Sequence, residues 1–148
     1  MSKSFILAFD QGTTSSRAIL FDRDFCIHGV EQAETNQLFP QSGWVEQNAI
    51  EILETQLFVA RKLLAKSGVK SDEIAGIGIT NQRETTIVWD KNTGKPVYNA
   101  IIWQDKRTAV FCDEIKKSGF AEYLGDVTGL VVDSYFSATK IHWILNNV

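Results

Sequence analysis

A carboxylate, a glycine, a run of hydroxyls and a guanidinium stand in a row at Asp10-Gln11-Gly12-Thr13-Thr14-Ser15-Ser16-Arg17. Hydroxyls and backbone N–H groups can together donate to phosphate oxygens, and glycine lets the backbone turn tightly against a ligand. A carboxylate at a strand end either holds Mg2+ through water beside transferring phosphates or caps an ordinary tight turn. For Asp10 alone both readings stand. The whole string favours a phosphate cradle, because a plain hairpin requires no succession of hydroxyls. It is not a Walker-type loop, since no Gly-Lys-Ser/Thr follows and a strand comes next, and no G-x-G-x-x-G is present.

Two further strings carry chemistry. In Thr80-Asn81-Gln82-Arg83-Glu84-Thr85-Thr86, Arg83 and Glu84 are either a solvated pair or a donor and acceptor set matched to vicinal hydroxyls. In Trp103-Gln104-Asp105-Lys106-Arg107, Trp103 is either core or a flat wall for the carbon face of a polyol, at a strand end where α/β sheets place ligands. Asp105 reads as a helix cap. Tyr135 is either a packed ring or a hydroxyl donor aimed into a cleft. His28 and His142 are isolated from other ligating residues, Trp44, Trp89 and Trp143 read as packing or surface aromatics, and Lys95 reads as solvated in a turn.

The elements that must position these residues follow from periodicity. Residues 5–9, 17–22 and 25–32 read as an antiparallel meander, turning at Gly12 and at Asp22-Arg23-Asp24. Residues 37–47, with Pro40, Ser42 and Gly43, read as a loop carrying an exposed Trp44. From Asn48 the period becomes helical: Ile50, Leu53, Leu57, Ala60 and Leu64 form one stripe, Asn48 and Glu51 suit a capping box, and Gly68 ends the helix. Residues 74–80 read as a strand with Gly76 and Gly78 on one face, inviting close packing or a ligand. Strands are expected at 85–89 and 97–103, and helices at 106–117, at 120–124 and from 137 to the end. Ala138, Ile141, Ile144, Leu145 and Val148 keep the last helix apolar to its final residue, without a Gly cap or polar tail. That suits the N-terminal part of a longer fold.

The chain of 148 residues, 44% hydrophobic and with net charge −3, can bury one sizeable core and carries no basic run suited to nucleic acid. Neither a membrane span nor a secretory signal is read, Met1-Ser2-Lys3-Ser4 leading directly into a strand. Cys26 and Cys112 lie far apart and outside any C-x-x-C pair, as expected of reduced thiols in a cytoplasmic protein.

On DQGTTSSRA at 10–18, SGWVEQ at 42–47, GITNQRETTIVWD at 78–90, NAIIWQDKRT at 99–108, TGL at 128–130 and YFSATKIHWIL at 135–145, the chain resembles the N-terminal part of the FGGY carbohydrate kinases. NQRETT and IIWQ-x-x-RT resemble the glycerol-phosphorylating members in particular. The resemblance covers essentially all 148 residues. It implies an α/β fold of ribonuclease H-like, actin-like ATPase type, a mixed sheet flanked by helices, with a second kinase domain outside residues 1–148. It also implies phosphorylation of glycerol to sn-glycerol 3-phosphate by ATP with Mg2+, and a homo-oligomeric full-length protein. Thr13, Thr14 and Ser15 would face the ATP phosphates, Arg17 the ADP end, Asp10 the metal, and Arg83, Glu84, Trp103 and Tyr135 the glycerol. No carboxylate of the chain matches the family's catalytic base. Two positions depart from the pattern, Ser134 where Pro is expected and Ala138 where Gly is expected. A related kinase of a longer polyol or ketose, or an ATPase module of the actin and heat-shock chaperone kind, are the alternatives.

Overall fold

The computed structural model describes residues 4–148, so the lead-in read at residues 1–3 lies outside the described part. The chain divides into two units, residues 1–36 with 50–82 and residues 37–49 with 83–148.

In the first unit, alternating apolar residues give β1 (Phe5–Gln11), β2 (Ser15–Phe21) and β3 (Ile27–Glu34). The meander is antiparallel, with Leu7 opposite Leu20 and Asp10 opposite Arg17. β3 starts two residues later than the periodicity suggests because the preceding turn takes five residues. Asp22 Oδ1 accepts the backbone N–H groups of Asp24 and Cys26, and Phe25 adopts a positive φ of 60°. β5 (Ile74–Thr80) joins β1 in parallel, giving the order β3-β2-β1-β5. A parallel pair requires a crossover connection. It contains α1 (Ala49–Ser67), which starts and stops where Asn48 and Gly68 predict.

The buried face of α1 differs from the predicted stripe. Val59, Ala60 and Leu63 form the core with Leu7, Ala18 and Leu20, while Ile50, Leu53 and Leu57 are exposed. Two features fix this rotation. Gly29 leaves room for Leu63, whose Cδ1 would lie 2.8 Å from any Cβ at that position. Gln56, polar but buried, donates from Nε2 to the Arg17 carbonyl at 3.0 Å. Glu31 on β3 then takes Lys62 at 2.8 Å and also Lys66, two adjacent-turn ammonium groups of α1. Those two lysines, Lys62 foremost, hold its carboxyl below the usual range. On β5, Ile77 and Ile79 remain 58% and 73% exposed.

The second unit is less regular. The strands expected at 85–89 and 97–103 contract to the pair β4 (Glu46–Gln47) with β6 (Ala100–Ile101) and to isolated bridges Thr86 to Ile101 and Trp89 to Pro96. Between Trp89 and Pro96 lies the turn that carries Lys95, in which Asp90 Oδ1 accepts from the backbone of Asn92 and Thr93. Beyond Ile101 the chain turns instead of extending: Asp105 N donates to Ile102 O, and Lys106 N to Gly43 O. The next helix, α2 (Ala109–Lys117), therefore begins three residues late. α3 (Phe120–Thr128) runs longer than expected and ends at Gly129, whose φ of 70° suits a left-handed cap. α4 (Ser137–Asn147) buries Thr139, Lys140 and Ile144, whereas Ala138, Leu145 and Val148 of the predicted apolar face are exposed.

The turn at 105–107 serves a buried charge network. Asp105 does not cap α2, whose N-cap position is Thr108. Its carboxylate accepts the Val45 and Arg107 backbone N–H groups and both Nε and Nη2 of Arg107, which also reaches Glu46 Oε1 at 2.7 Å. The guanidinium lies 3.9 Å from the Trp44 ring and 4.5 Å from that of Trp143, so Trp44 is packed in a cation–π contact rather than loosely exposed. Burial opposes the Arg107 charge, but Asp105 and Glu46 outweigh it and raise its pKa. Burial likewise works against the Glu46 carboxylate, and its bonds from Asn99, Arg107 and Tyr98 outweigh that and lower its pKa.

Candidate functional site

The candidate residues fall in both units. In the first, the β1–β2 turn closes with Gly12 N donating to Ser15 O at 2.9 Å. A Cβ on Gly12 would sit 3.1 Å from that same carbonyl, so glycine keeps the turn tight. Thr13 and Thr14 are held at the backbone by Thr35, which donates from N to Thr14 O at 3.0 Å and from Oγ1 to Thr13 O at 3.3 Å. Ser16 is fully buried with its hydroxyl bonded to Gln11 Oε1 at 2.8 Å, whereas Thr14 is exposed and Ser15 half-buried. The string thus separates into an inward hydroxyl that stiffens the turn and outer ones, at Thr14 and Ser15, that reach the surface.

Asp10 lies in register between Arg17 on β2 and Thr80 on β5. Arg17 Nη1 reaches Asp10 Oδ2 at 3.3 Å, its Nε donates to Gln32 Oε1 at 3.0 Å, and Gln32 Nε2 donates to Ser15 Oγ at 3.1 Å. This chain of bonds links the carboxylate, the guanidinium and a turn hydroxyl across three strands. Both Asp10 and Arg17 side chains are 40% exposed, so the pair is accessible rather than sealed. Mg2+ usually takes one or two protein carboxylates, with water and phosphate oxygens completing its shell. A single accessible carboxylate at a strand end, beside the hydroxyls of the turn, fits that demand. Among the described residues no group of three or more His, Cys, Asp and Glu is placed to hold a metal by itself.

In the second unit, three segments far apart in sequence converge. Trp103 and Tyr135 meet edge to face with ring centroids 5.9 Å apart. Glu84 Oε2 accepts both the backbone N–H and the hydroxyl of Ser137 at 3.0 Å, two residues beyond Tyr135. Arg83 is exposed, Glu84 and Tyr135 half-buried, and Trp103 is 36% exposed, so its ring is not core. The Tyr135 loop is fixed by Asp133, whose Oδ1 accepts Tyr135 N at 2.7 Å. That backbone bond is the main reason its carboxyl stays below the usual range. Ser134, one of the two departures, is buried and directs its hydroxyl to Asp133 Oδ1 at 3.5 Å; Ala138, the other, is exposed in the first turn of α4.

Glu84 has a φ of 58°, a left-handed conformation that costs a non-glycine residue about 1–2 kcal/mol and persists only where the surroundings impose it. At this residue Lys140 donates from Nζ to Glu84 O at 2.8 Å and also to Tyr135 O at 2.5 Å. Lys140 is fully buried, and burial pushes its ammonium down to about 8, against the pull of Glu84, Asp105 and Asp133. Sequence reasoning missed Lys140 and Ser137. The available signal was position: Lys140 and Ile144 stand four residues apart on α4, so the lysine shares the face of a predicted core residue. A cavity of about 170 Å³ among Arg107, Phe111, Thr139, His142 and Trp143 contains none of the candidate residues.

Comparison with known proteins bears on the fold and the family. The glycerol kinase of Desulforamulus reducens is 62% identical over 148 residues, all of this chain and 30% of that protein. The chain thus spans about 30% of the length of such curated relatives. Among solved structures, Plasmodium falciparum glycerol kinase with ADP superposes with a TM-score of 0.87 at 34% identity, over 99% of this chain and 29% of that one. A ligand-bound xylulose kinase from Lactobacillus acidophilus gives the same TM-score at 21% identity over 97% of this chain and 28% of that one, a likeness of fold alone. The fold is therefore the α/β, ribonuclease H-like and actin-like one, a mixed sheet with helices. The model of the N-terminal domain of the FGGY family of carbohydrate kinases matches residues 5–148, and the chain belongs to that family.

Proposed function

We propose that residues 1–148 act as the N-terminal domain of a two-domain cytoplasmic kinase that phosphorylates glycerol to sn-glycerol 3-phosphate with ATP. The observation that carries this reading is the convergence of Glu84, Trp103 and Tyr135 from three segments of one unit, with Glu84 bonded to Ser137 beside Tyr135. A carboxylate, a guanidinium on the preceding residue and two aromatic rings suit a small vicinal polyol: hydroxyls to the charged pair, carbon face to the rings. Relatives about 60% identical over this chain, named glycerol kinase, support glycerol over a longer substrate.

Glu84 accepts from a glycerol hydroxyl, Arg83 donates to one, Trp103 walls the carbon face, and the Tyr135 hydroxyl supplies a further donor. Thr13, Thr14 and Ser15 would face the phosphates of ATP, Arg17 the ADP end, and Asp10 would hold Mg2+. Bound Mg2+ and ATP supply, respectively, charge neutralisation and the phosphoryl group. Such transfer depends on alignment and electrostatic stabilisation more than on covalent chemistry, so the chain's part is to bind and orient. No residue of the chain is assigned as catalytic base, and residues 1–148 alone are expected to be at most a weak ligand binder. The test is ADP formation by the two-domain protein with glycerol, erythritol or xylulose as acceptor. Glycerol is expected to be preferred, with Arg83→Ala lowering kcat/KM at least a hundredfold; ATP hydrolysis indifferent to polyol, or a preference for xylulose, would overturn the reading.

A further inference from the structure

We infer that Lys140 and Ser137 are positioning residues of the acceptor site: together they clamp Glu84 and Tyr135 into one rigid unit. The inference rests on the reading of Glu84 and Tyr135 as glycerol-binding residues.

Four observations converge on it. Lys140 is fully buried, and an ammonium group is buried only where a specific arrangement holds it. Its two bonds go to the carbonyls of Glu84 and Tyr135, residues 51 positions apart and both assigned to the acceptor. Glu84 is one of two non-glycine residues with positive φ among the described residues, and the other, Phe25, lies in an exposed turn. Lastly, Ser137 secures the same residue from its side-chain end, giving two donors to one oxygen of the Glu84 carboxylate. Backbone and side chain of Glu84 are thus fixed independently by two residues of one helix, α4.

The arrangement explains how a residue in an irregular segment can meet a ligand with the accuracy that binding requires. Glu84 belongs to no strand or helix, and the nearest ladder pairing of its segment is the isolated Thr86 to Ile101 bridge. A site on such a loop is precise only when neighbouring groups lock it. A clamp from α4 provides the lock and couples it to Tyr135, so displacement of either residue disturbs the other.

The experiment uses the two-domain protein with Lys140→Met, which keeps chain length and removes the donors, and Ser137→Ala, which removes only the hydroxyl bond. Steady-state kinetics with glycerol and ATP varied separately are read beside near-UV circular dichroism. The expected result for Lys140→Met is a glycerol KM raised at least tenfold with the ATP KM within twofold of the parent; for Ser137→Ala, a three- to tenfold rise in glycerol KM alone. A merely structural role would lower the folded fraction and leave the glycerol KM of the surviving enzyme unchanged. An unchanged glycerol KM in folded Lys140→Met overturns the clamp, and if that variant does not fold, an unchanged value in Ser137→Ala does so. Failure of the unsubstituted protein to turn over glycerol overturns the functional reading and the clamp with it, whereas normal parental turnover with unmoved KM values overturns the clamp alone.

Discussion

Replacing Arg107 by Met tests how the second unit is held together. The substitution removes two bonds to Asp105, at 2.9 and 2.8 Å, and one to Glu46 at 2.7 Å. It also removes cation–π contacts with Trp44 and Trp143. Charge-assisted bonds contribute about 1.5–3 kcal/mol each, but the desolvation cost of the guanidinium is recovered, and removing one partner of a buried pair costs about 3–5 kcal/mol net. Both carboxylates keep other donors: Tyr98 and Asn99 on Glu46, and the Val45 and residue-107 backbone N–H groups on Asp105. The lower end, about 3 kcal/mol, is therefore expected at pH 7. In the parent, Glu46 is held below its ordinary pKa, so its contribution is present above the ordinary carboxylate value and lost as pH falls through the lowered one. Without the cation Glu46 takes up a proton at higher pH, so the difference between the two proteins shrinks on acidification. Urea unfolding followed by far-UV circular dichroism from pH 7 down to pH 4 measures both effects. A loss under about 1 kcal/mol at pH 7, or one independent of pH, would refute the claim that this pair bears the cost of a buried cation.

Lys140 carries a second pH signature. Its folded-state value of about 8 lies below the ordinary 10.5, so the unfolded chain binds the extra proton between those values, and the parent gains stability with rising pH relative to Lys140→Met, by up to about 3 kcal/mol. Parallel stability curves for the two proteins from pH 7.5 to 10.5 would contradict this. Gly29→Ala places a Cβ against the buried Leu63 and is expected to cost about 1–2 kcal/mol, whereas Gly76→Ala, 3.8 Å from Ile6, is expected to change thermal stability little; equal melting temperatures for the two would show that α1 does not depend on close approach at Gly29.

The alternation of small and apolar residues around Gly12 made the β1–β2 hairpin legible, because strand period and turn chemistry there agree. Helix α1 was legible in position but not in rotation. It is apolar on more than one face, and only Gly29 and the Arg17 carbonyl, both remote in sequence, select the side carrying Gln56, Val59 and Leu63. Arg83, Glu84, Trp103 and Tyr135 stand out in the sequence by residue chemistry and, with the resemblance, as proposed acceptor contacts, while their supports do not. Lys140, Ser137, Glu46 and Arg107 are individually ordinary polar residues, and only tertiary proximity to particular carbonyls and carboxylates makes them buried and committed. The strands expected at 85–89 and 97–103 contracted for a similar reason, since Asp105 turns the chain toward Val45 and Arg107 before pairing can extend.

The aromatic packing around Arg107 has a spectroscopic consequence. All four tryptophans, at 44, 89, 103 and 143, and all three tyrosines, at 98, 123 and 135, belong to the second unit. The first unit, with the hairpin, has only phenylalanine among the three aromatic types. Emission excited at 295 nm therefore reports one unit alone, and with Trp44 and Trp143 flanking a guanidinium it registers the opening of that network directly. The hairpin unit is silent at that wavelength, so comparing this emission with far-UV circular dichroism, which reports both units, separates the unfolding of one from that of the other.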